Sequence, residues 1–322
     1  MRALKQPGLW IYVGGLLIWG LAVLFIQDPT LRETSFTLLM YVGLASSLNI
    51  LLGYTGYVSF GHIVFFGLGG YLGFYLLSVH GLSLYFAALL AGLFCALIAV
   101  LLGLAVLRLR GAYFALATIG VNEAARAFVS NFEPFGGATG MSLDYSVYSL
   151  YGGSMKALWL AFVLVWFTAI AVVVASYLVK KSRFGLSLMA IREDEDAAMV
   201  MGVRAPRAKT WAFAISAFFP GIIGAIYFFK NGNVEPGDAF RLHMSIEGLV
   251  MIMLGGQGTV LGPILGSLAY ERLRGYLLVS PLFKSIHLAF SGVALLFIIL
   301  FVPAGAVGWL RRRSARLRGV LE

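Results

Sequence analysis

Cysteine is all but absent. The 322-residue chain holds one, Cys95, so no disulfide framework can form within it, and a lone thiol inside an apolar run packs as a small hydrophobe. Histidine is also scarce: His62, His80, His243 and His287 are scattered and show none of the spacings that hold a metal. No Gly-Lys dipeptide occurs, which excludes a phosphate loop and with it a nucleotide site of that kind. No Gly-x-Ser-x-Gly elbow presents a nucleophile. These gaps argue against an enzyme and leave no cofactor for the chain itself. Charge is the largest deficit, at 12% Asp, Glu, Lys and Arg, where soluble domains carry about 25%.

What fills the chain instead is apolar. It is 60% hydrophobic with a mean hydropathy of +0.90, against about 45–50% apolar residues in soluble domains. A chain of this composition cannot hide its apolar surface from water, so its solvent is membrane lipid. The net charge of +10 does not form a nucleic-acid footprint, because the basic residues lie at span ends and in loops, as the positive-inside rule expects. The N-terminal run after Arg2 and Lys5 is long for a signal peptide and no small-x-small cleavage site follows it, so it reads as a retained first span.

A bilayer core of about 30 Å takes about 20 apolar residues in a helix. Candidate spans are 9–26, 36–52, 57–78, 84–107, 111–130, 157–179, 210–229, 246–254, 260–278 and 285–302. The fold class is all-α: a polytopic helical bundle of about 8–10 transmembrane helices with broken or re-entrant segments, in one domain over 1–322. Arg2 and Lys5, then Arg108 and Arg110, the 180–209 loop and the basic tail 303–322 all fall on the cytoplasmic side if the chain crosses ten times. That count requires 246–278 to be two segments folded about the Gly255–Gly258 turn. The longest outer loop is then 131–156.

Five stretches break the apolar pattern. Gly53, Thr55, Gly56, Ser59, Gly61 and His62 interrupt the run from 36 to 78. Glycine and hydroxyl residues at membrane depth free backbone groups that must be buried in protein or line a water path, and broken helices are where transporters bind solutes; close helix packing through small residues is the competing reading. Thr118 precedes Asn122, Glu123 and Arg126, the last two spaced to pair on one helix face. Gly137, Thr139 and Gly140 lie in the outer loop, where freed N–H groups can form an anion nest or a plain turn. Gly255, Gly256 and Gly258 form a tight turn before a small-residue face. The segment 180–209 is the one long charged stretch, with Glu193, Asp194, Glu195 and Asp196 at its centre.

Taken in order, LLGYTGYVSFGH, RLRGAYFALATIG, FGGATGMSL, SRFGLSLMAIREDEDAAMVMGV and LGGQGTVLGPILGS resemble the permeases of bacterial ATP-binding-cassette importers for branched-chain amino acids, the LivM type, from about residue 40 to the last span. The resemblance implies an ATPase-coupling segment, mapped here to Arg192, Glu193, Glu195, Ala197, Ala198 and Gly202. It also implies a multi-pass protein of the bacterial inner membrane, whose two termini the Lys and Arg pattern already puts on the cytoplasmic side. Its implied partners are a second related permease, two cytoplasmic subunits that bind ATP and magnesium, and an extracytoplasmic solute-binding protein. A urea or short-amide permease of the same superfamily and a gradient-driven transporter are the alternatives.

Overall fold

The computed structural model describes residues 7–279 together with 305, 307 and 308; the span expected at 285–302, His287, Arg2, Lys5 and the basic tail beyond 308 lie outside the described residues. Within them the protein is almost wholly helical. Its main elements are α1 (Pro7–Ile26), α2 (Pro29–Thr55), α3 (Ile63–Ser78), α4 (Leu84–Val106), α5 (Ala112–Ser130), α6 (Tyr145–Ser149), α7 (Ser154–Lys181), α8 (Arg183–Glu193), α9 (Glu195–Val200), α10 (Ala205–Asn231), α11 (Pro236–Ala239), α12 (Leu242–Gly255) and α13 (Leu261–Val279). Four of them, α2, α4, α7 and α10, are long and apolar enough to cross a membrane.

Local chemistry sets the ends. The α2 helix begins earlier than the expected 36 because Asp28 accepts a hydrogen bond from the Thr30 N–H and Pro29 stands in the first turn, where its missing donor costs nothing. At 27 residues it is about 40 Å long, more than the hydrocarbon core, and its first turns carry Arg32 and Glu33, paired with each other at 3.0 Å, with Glu33 also paired to Lys230 at the far end of α10. The helix stops at Gly56, whose φ of 77° is a left-handed conformation favouring glycine. Residues 56–62 then run as irregular chain, so the expected span 57–78 is a loop followed by a shorter helix.

That shorter helix starts deep in the bundle. The first N–H of α3, from Ile63, donates to Ser245 Oγ of α12 at 3.1 Å. His62 Nε2 donates to the carbonyl of Ser216, in the middle of α10, at 3.2 Å. The reason lies four residues on: Pro220 sits inside α10 and has no N–H to give Ser216, as any other residue would. His62 supplies the missing donor from outside the helix. Leucine at 62 is therefore expected to orphan a buried carbonyl and lower the thermal midpoint in detergent by the equivalent of about 1–3 kcal/mol. Pairing it with Pro220→Ala should restore most of that loss. Full additivity of the two substitutions would refute the link.

Helix α10 is the axis of the bundle. It meets α3 through glycine: a Cβ on Gly69 would overlap the Gly221 backbone, and one on Gly224 would overlap the Phe66 carbonyl. Such close approach is how helices associate where lipid removes the hydrophobic drive. Cys95 on α4 is buried and donates its S–H to the Phe65 carbonyl at 3.1 Å. The segment 246–278 is two helices about a glycine turn, as expected, with Gly255, Gly262 and Gly266 packed against backbone. The first of the two, α12, has 14 residues, about 21 Å, so it too begins inside the bundle. Its Glu247 is 2% exposed and accepts hydrogen bonds from Tyr41 and Tyr270 at 2.8 and 3.0 Å. At the opposite end, strands β1 (Met141–Ser142) and β2 (Asn233–Val234) pair antiparallel over two residues.

Candidate functional site

The site grows from the α8–α9 loop. Asp194 ends α8 and caps α9, accepting from the Asp196 and Ala197 N–H groups at 2.9 and 3.0 Å. That cap, with Glu195 and Asp196 in the first turn where carboxylates favour the helix dipole, explains why so acidic a run folds. The turn aims Glu195 inward. Its Oε1 accepts from Lys209 Nζ of α10 and its Oε2 from the Tyr57 hydroxyl, both at 2.7 Å. Lys209, 2% exposed, also donates to the Tyr57 oxygen at 2.7 Å and to the Leu107 carbonyl at 3.0 Å. An ammonium has three donors and all three are satisfied. On the outside, Arg110 grips both Asp196 oxygens at 2.8 and 3.0 Å in the bidentate form arginine favours.

Three residues before Glu195, in the last turn of α8, Arg192 donates to the Gly53 carbonyl at 2.7 Å. Gly53 in turn packs on Gly258. Asn49 holds that turn, accepting from the Gly258 N–H and donating to the Thr259 carbonyl, both at 3.0 Å. Phe60 N–H donates to Thr118 Oγ1 at 3.1 Å, and Gly61 lies against the Thr118 carbonyl. Thus the broken segment 53–62, the start of α5, the Gly255–Gly258 turn and the charged loop converge on one end of the bundle. Between them opens a cavity of about 670 Å³, lined among others by Thr55, Gly56, Tyr57, Ala115, Arg192 and Met253.

The structure sorts the expected residues. Gly53, Thr55, Gly56, Gly61, Thr118, Gly255, Gly256 and Gly258 gather at this end, and Ser59 and His62 are buried beside them. Gly137, Thr139 and Gly140 do not; they lie at the β1–β2 end, where Gly140 packs on the Val234 carbonyl. The N–H groups of Gly136, Gly137 and Gly140 are taken by the carbonyls of Glu133, Phe132 and Gly137, so these groups form no open anion nest. Of the residues expected to form a coupling segment, Ala198 is buried and Arg192 and Glu195 face the protein's own interior, while Glu193, Ala197 and Gly202 are exposed. Beside Gly202 stand Val200 and Met201, 87% and 85% exposed. The sequence reading gave Tyr57, Lys209 and Arg110 no place in the site; an ionisable lysine at the head of an apolar span was the available signal.

Long apolar helices, two half-length helices meeting inside the bundle and a charged loop bonded to the break that precedes the first of them define a multi-pass membrane protein of the transporter class. Residues 31–300 match the family described as branched-chain amino acid transport system / permease component. The chain belongs to that family. It is 29% identical over 282 residues to the high-affinity branched-chain amino acid transport system permease protein LivM of Escherichia coli (strain K12), a match covering 80% of this chain and 66% of that one. The LivM protein of Salmonella typhimurium is as similar, with the same coverage; the chain thus spans just under two thirds of the length of these relatives. A ribose import permease protein, RbsC of Haemophilus influenzae, is 25% identical over 32% of this chain and 33% of its own. No solved structure matches the chain.

Proposed function

We propose that this chain is a permease subunit of an ATP-binding-cassette importer that moves leucine, isoleucine and valine across the bacterial inner membrane, with both termini on the cytoplasmic side. Its partners are a second related permease, two cytoplasmic ATP-binding subunits that hold the ATP and magnesium, and an extracytoplasmic solute-binding protein. The observation that carries this reading is the bonding of the α8–α9 loop to the broken segment. A loop that presents an exposed apolar tip at Met199–Gly202, yet is tied through Glu195 and Arg192 to the helix break, can pass a push from a cytoplasmic partner to the solute path. Nucleotide acts only through a difference in affinity between the two states of the complex.

The test is co-purification from the native membrane in detergent. An ATPase is expected to accompany the tagged chain and to be lost when Val200 and Met201 are both replaced by glutamate, while the chain itself elutes as a monodisperse species. Proteoliposomes of the assembled complex with its binding protein should take up leucine on addition of ATP. A well-folded wild-type preparation that carries no ATPase, or one driven by a proton or sodium gradient alone, would overturn the reading.

A further inference from the structure

Helix α5 has an exposed face that does not suit lipid. The α4 helix shows what a lipid face looks like in this protein: Tyr85, Phe86, Leu89, Leu93, Leu97 and Leu101 are all about half exposed or more, with no charge among them. On α5 the exposed residues include the apolar Tyr113, Leu116 and Phe128, but between them stand Gly120, Glu123, Ala124, Arg126 and Ala127. Glu123 and Arg126 pair at 3.6 Å, with side chains 53% and 49% exposed. They stand at the twelfth and fifteenth positions of a 19-residue helix, and Asn122 beside them is fully buried, donating to the Phe240 carbonyl at 2.9 Å. Ionised side chains at such a level face a bundle interior or a water path. A Cβ added at Gly120 would meet nothing within 4 Å, so the space in front of the pair is open.

This face continues the cavity described above. Gly111, Ala112 and Ala115 at the start of α5 line that cavity, and Leu116, Gly120 and Glu123 follow at helical spacing about 12 Å further along from Ala115. We propose that this face of α5 lines the solute passage, closed on its far side by the second permease, and that Glu123 and Arg126 receive the charged headgroup of the amino acid there. The inference rests on the importer reading. An α-amino acid presents an ammonium and a carboxylate a few ångströms apart. Glu123 accepts from the ammonium, and Arg126 donates to the carboxylate in the forked geometry it favours. With no solute present the two neutralise each other, so neither is left bare; with solute present each exchanges one opposite charge for another. The pair has no net charge, which suits a solute that has none and must leave again.

The test uses the complete importer, permease pair, ATPases and binding protein, in proteoliposomes. ATP-driven leucine uptake by the wild type is the control for the importer reading. Glu123→Gln and Arg126→Gln, each in complexes recovered at wild-type yield, are each expected to reduce that uptake at least about tenfold, the loss of one charge-assisted hydrogen bond. In a Cys95→Ala background, Glu123→Cys and Arg126→Cys are expected to react with a charged, water-soluble thiosulfonate, and millimolar leucine on both sides to slow the reaction. Uptake within twofold of wild type in both neutral variants overturns the proposal. So do cysteines that fail to react in the assembled complex, which would place the face in lipid or a sealed interface. Failure of wild-type leucine uptake with transport of another solute would instead overturn the importer's substrate and leave the reactivity of the pair to be read on its own.

Discussion

Replacing Glu195 by alanine is expected to free the α8–α9 loop from the membrane core and to cut ATP-driven uptake by the assembled importer about a hundredfold or more, the equivalent of the roughly 3–5 kcal/mol that follows from leaving a buried ion without its partner. The stranded group is Lys209, whose side chain is 3% exposed and whose distance to Glu195 is 2.7 Å. Its other acceptors, the Tyr57 hydroxyl and the Leu107 carbonyl, carry no charge to neutralise it. Tyr57 loses its acceptor in the same step, so the loop and the broken segment part company together. Proteolysis at Arg204 and Arg207 should quicken while membrane insertion is unchanged. Lys209→Met added to Glu195→Ala is expected to recover the thermal midpoint, because removing both members of a buried pair is close to neutral, but not the uptake, because the tie to Tyr57 is still missing. Recovery of uptake in the double variant would show that the pair only stabilises the fold.

The same pair sets an acid limit. Burial pushes the Glu195 carboxyl up, but hydrogen bonds from Lys209 and Tyr57 and the charges of Lys209 and Arg110 outweigh it and hold the group below its ordinary 4.5. A carboxyl depressed in the folded state contributes stability that is complete above its unfolded value and is lost as pH falls through the folded one. Loop release measured by proteolysis should therefore begin only below about pH 4.5, with no change between pH 6 and 8 from this group.

Much of the architecture was legible because lipid makes it so. Apolar runs of the right length marked α4, α5, α7 and α13 closely, and Gly53–His62 marked the break, since glycine and hydroxyl residues at that depth have few other uses. The convergence was not legible. Tyr57 and Glu195 are 138 residues apart and Tyr57 and Lys209 are 152 apart, and no local pattern in one reports on the other. The charged loop looked like a solvent-facing docking surface throughout, yet Glu195 turns inward, because the Asp194 cap fixes the phase of a helix only 6 residues long. His62 illustrates the same limit: its partner is chosen by a proline far along the chain whose missing N–H matters only once α10 exists.

Valine at Gly61 is expected to give the other large loss. A Cβ there would overlap the carbonyl oxygen of Thr118 and stand 2.6 Å from its carbonyl carbon. That obstacle is α5 backbone, not a side chain that can swing away, so relief requires α3 and α5 to separate. Separation breaks the hydrogen bond from Phe60 N–H to Thr118 Oγ1 at 3.1 Å, shifts the wall of the cavity at Phe60 and Ala115, and draws on the link between His62 and Ser216. Overpacking of this kind costs about 1–3 kcal/mol, and a branched side chain sits at the upper end. Uptake by the assembled importer should fall to background, and the thermal midpoint in detergent should fall with it. Gly61→Ala should show the same direction with a smaller loss, because one methyl already meets the carbonyl. Gly15→Ala on α1, where a Cβ would meet nothing within 4 Å, is the matched control and should be neutral or slightly stabilising, since glycine is the poorer helix former by about 1 kcal/mol. If Gly61→Val transports and melts like the wild type, α3 and α5 do not touch at this point in the membrane, and the broken segment must be held from the loop side alone, through Tyr57 and Arg192.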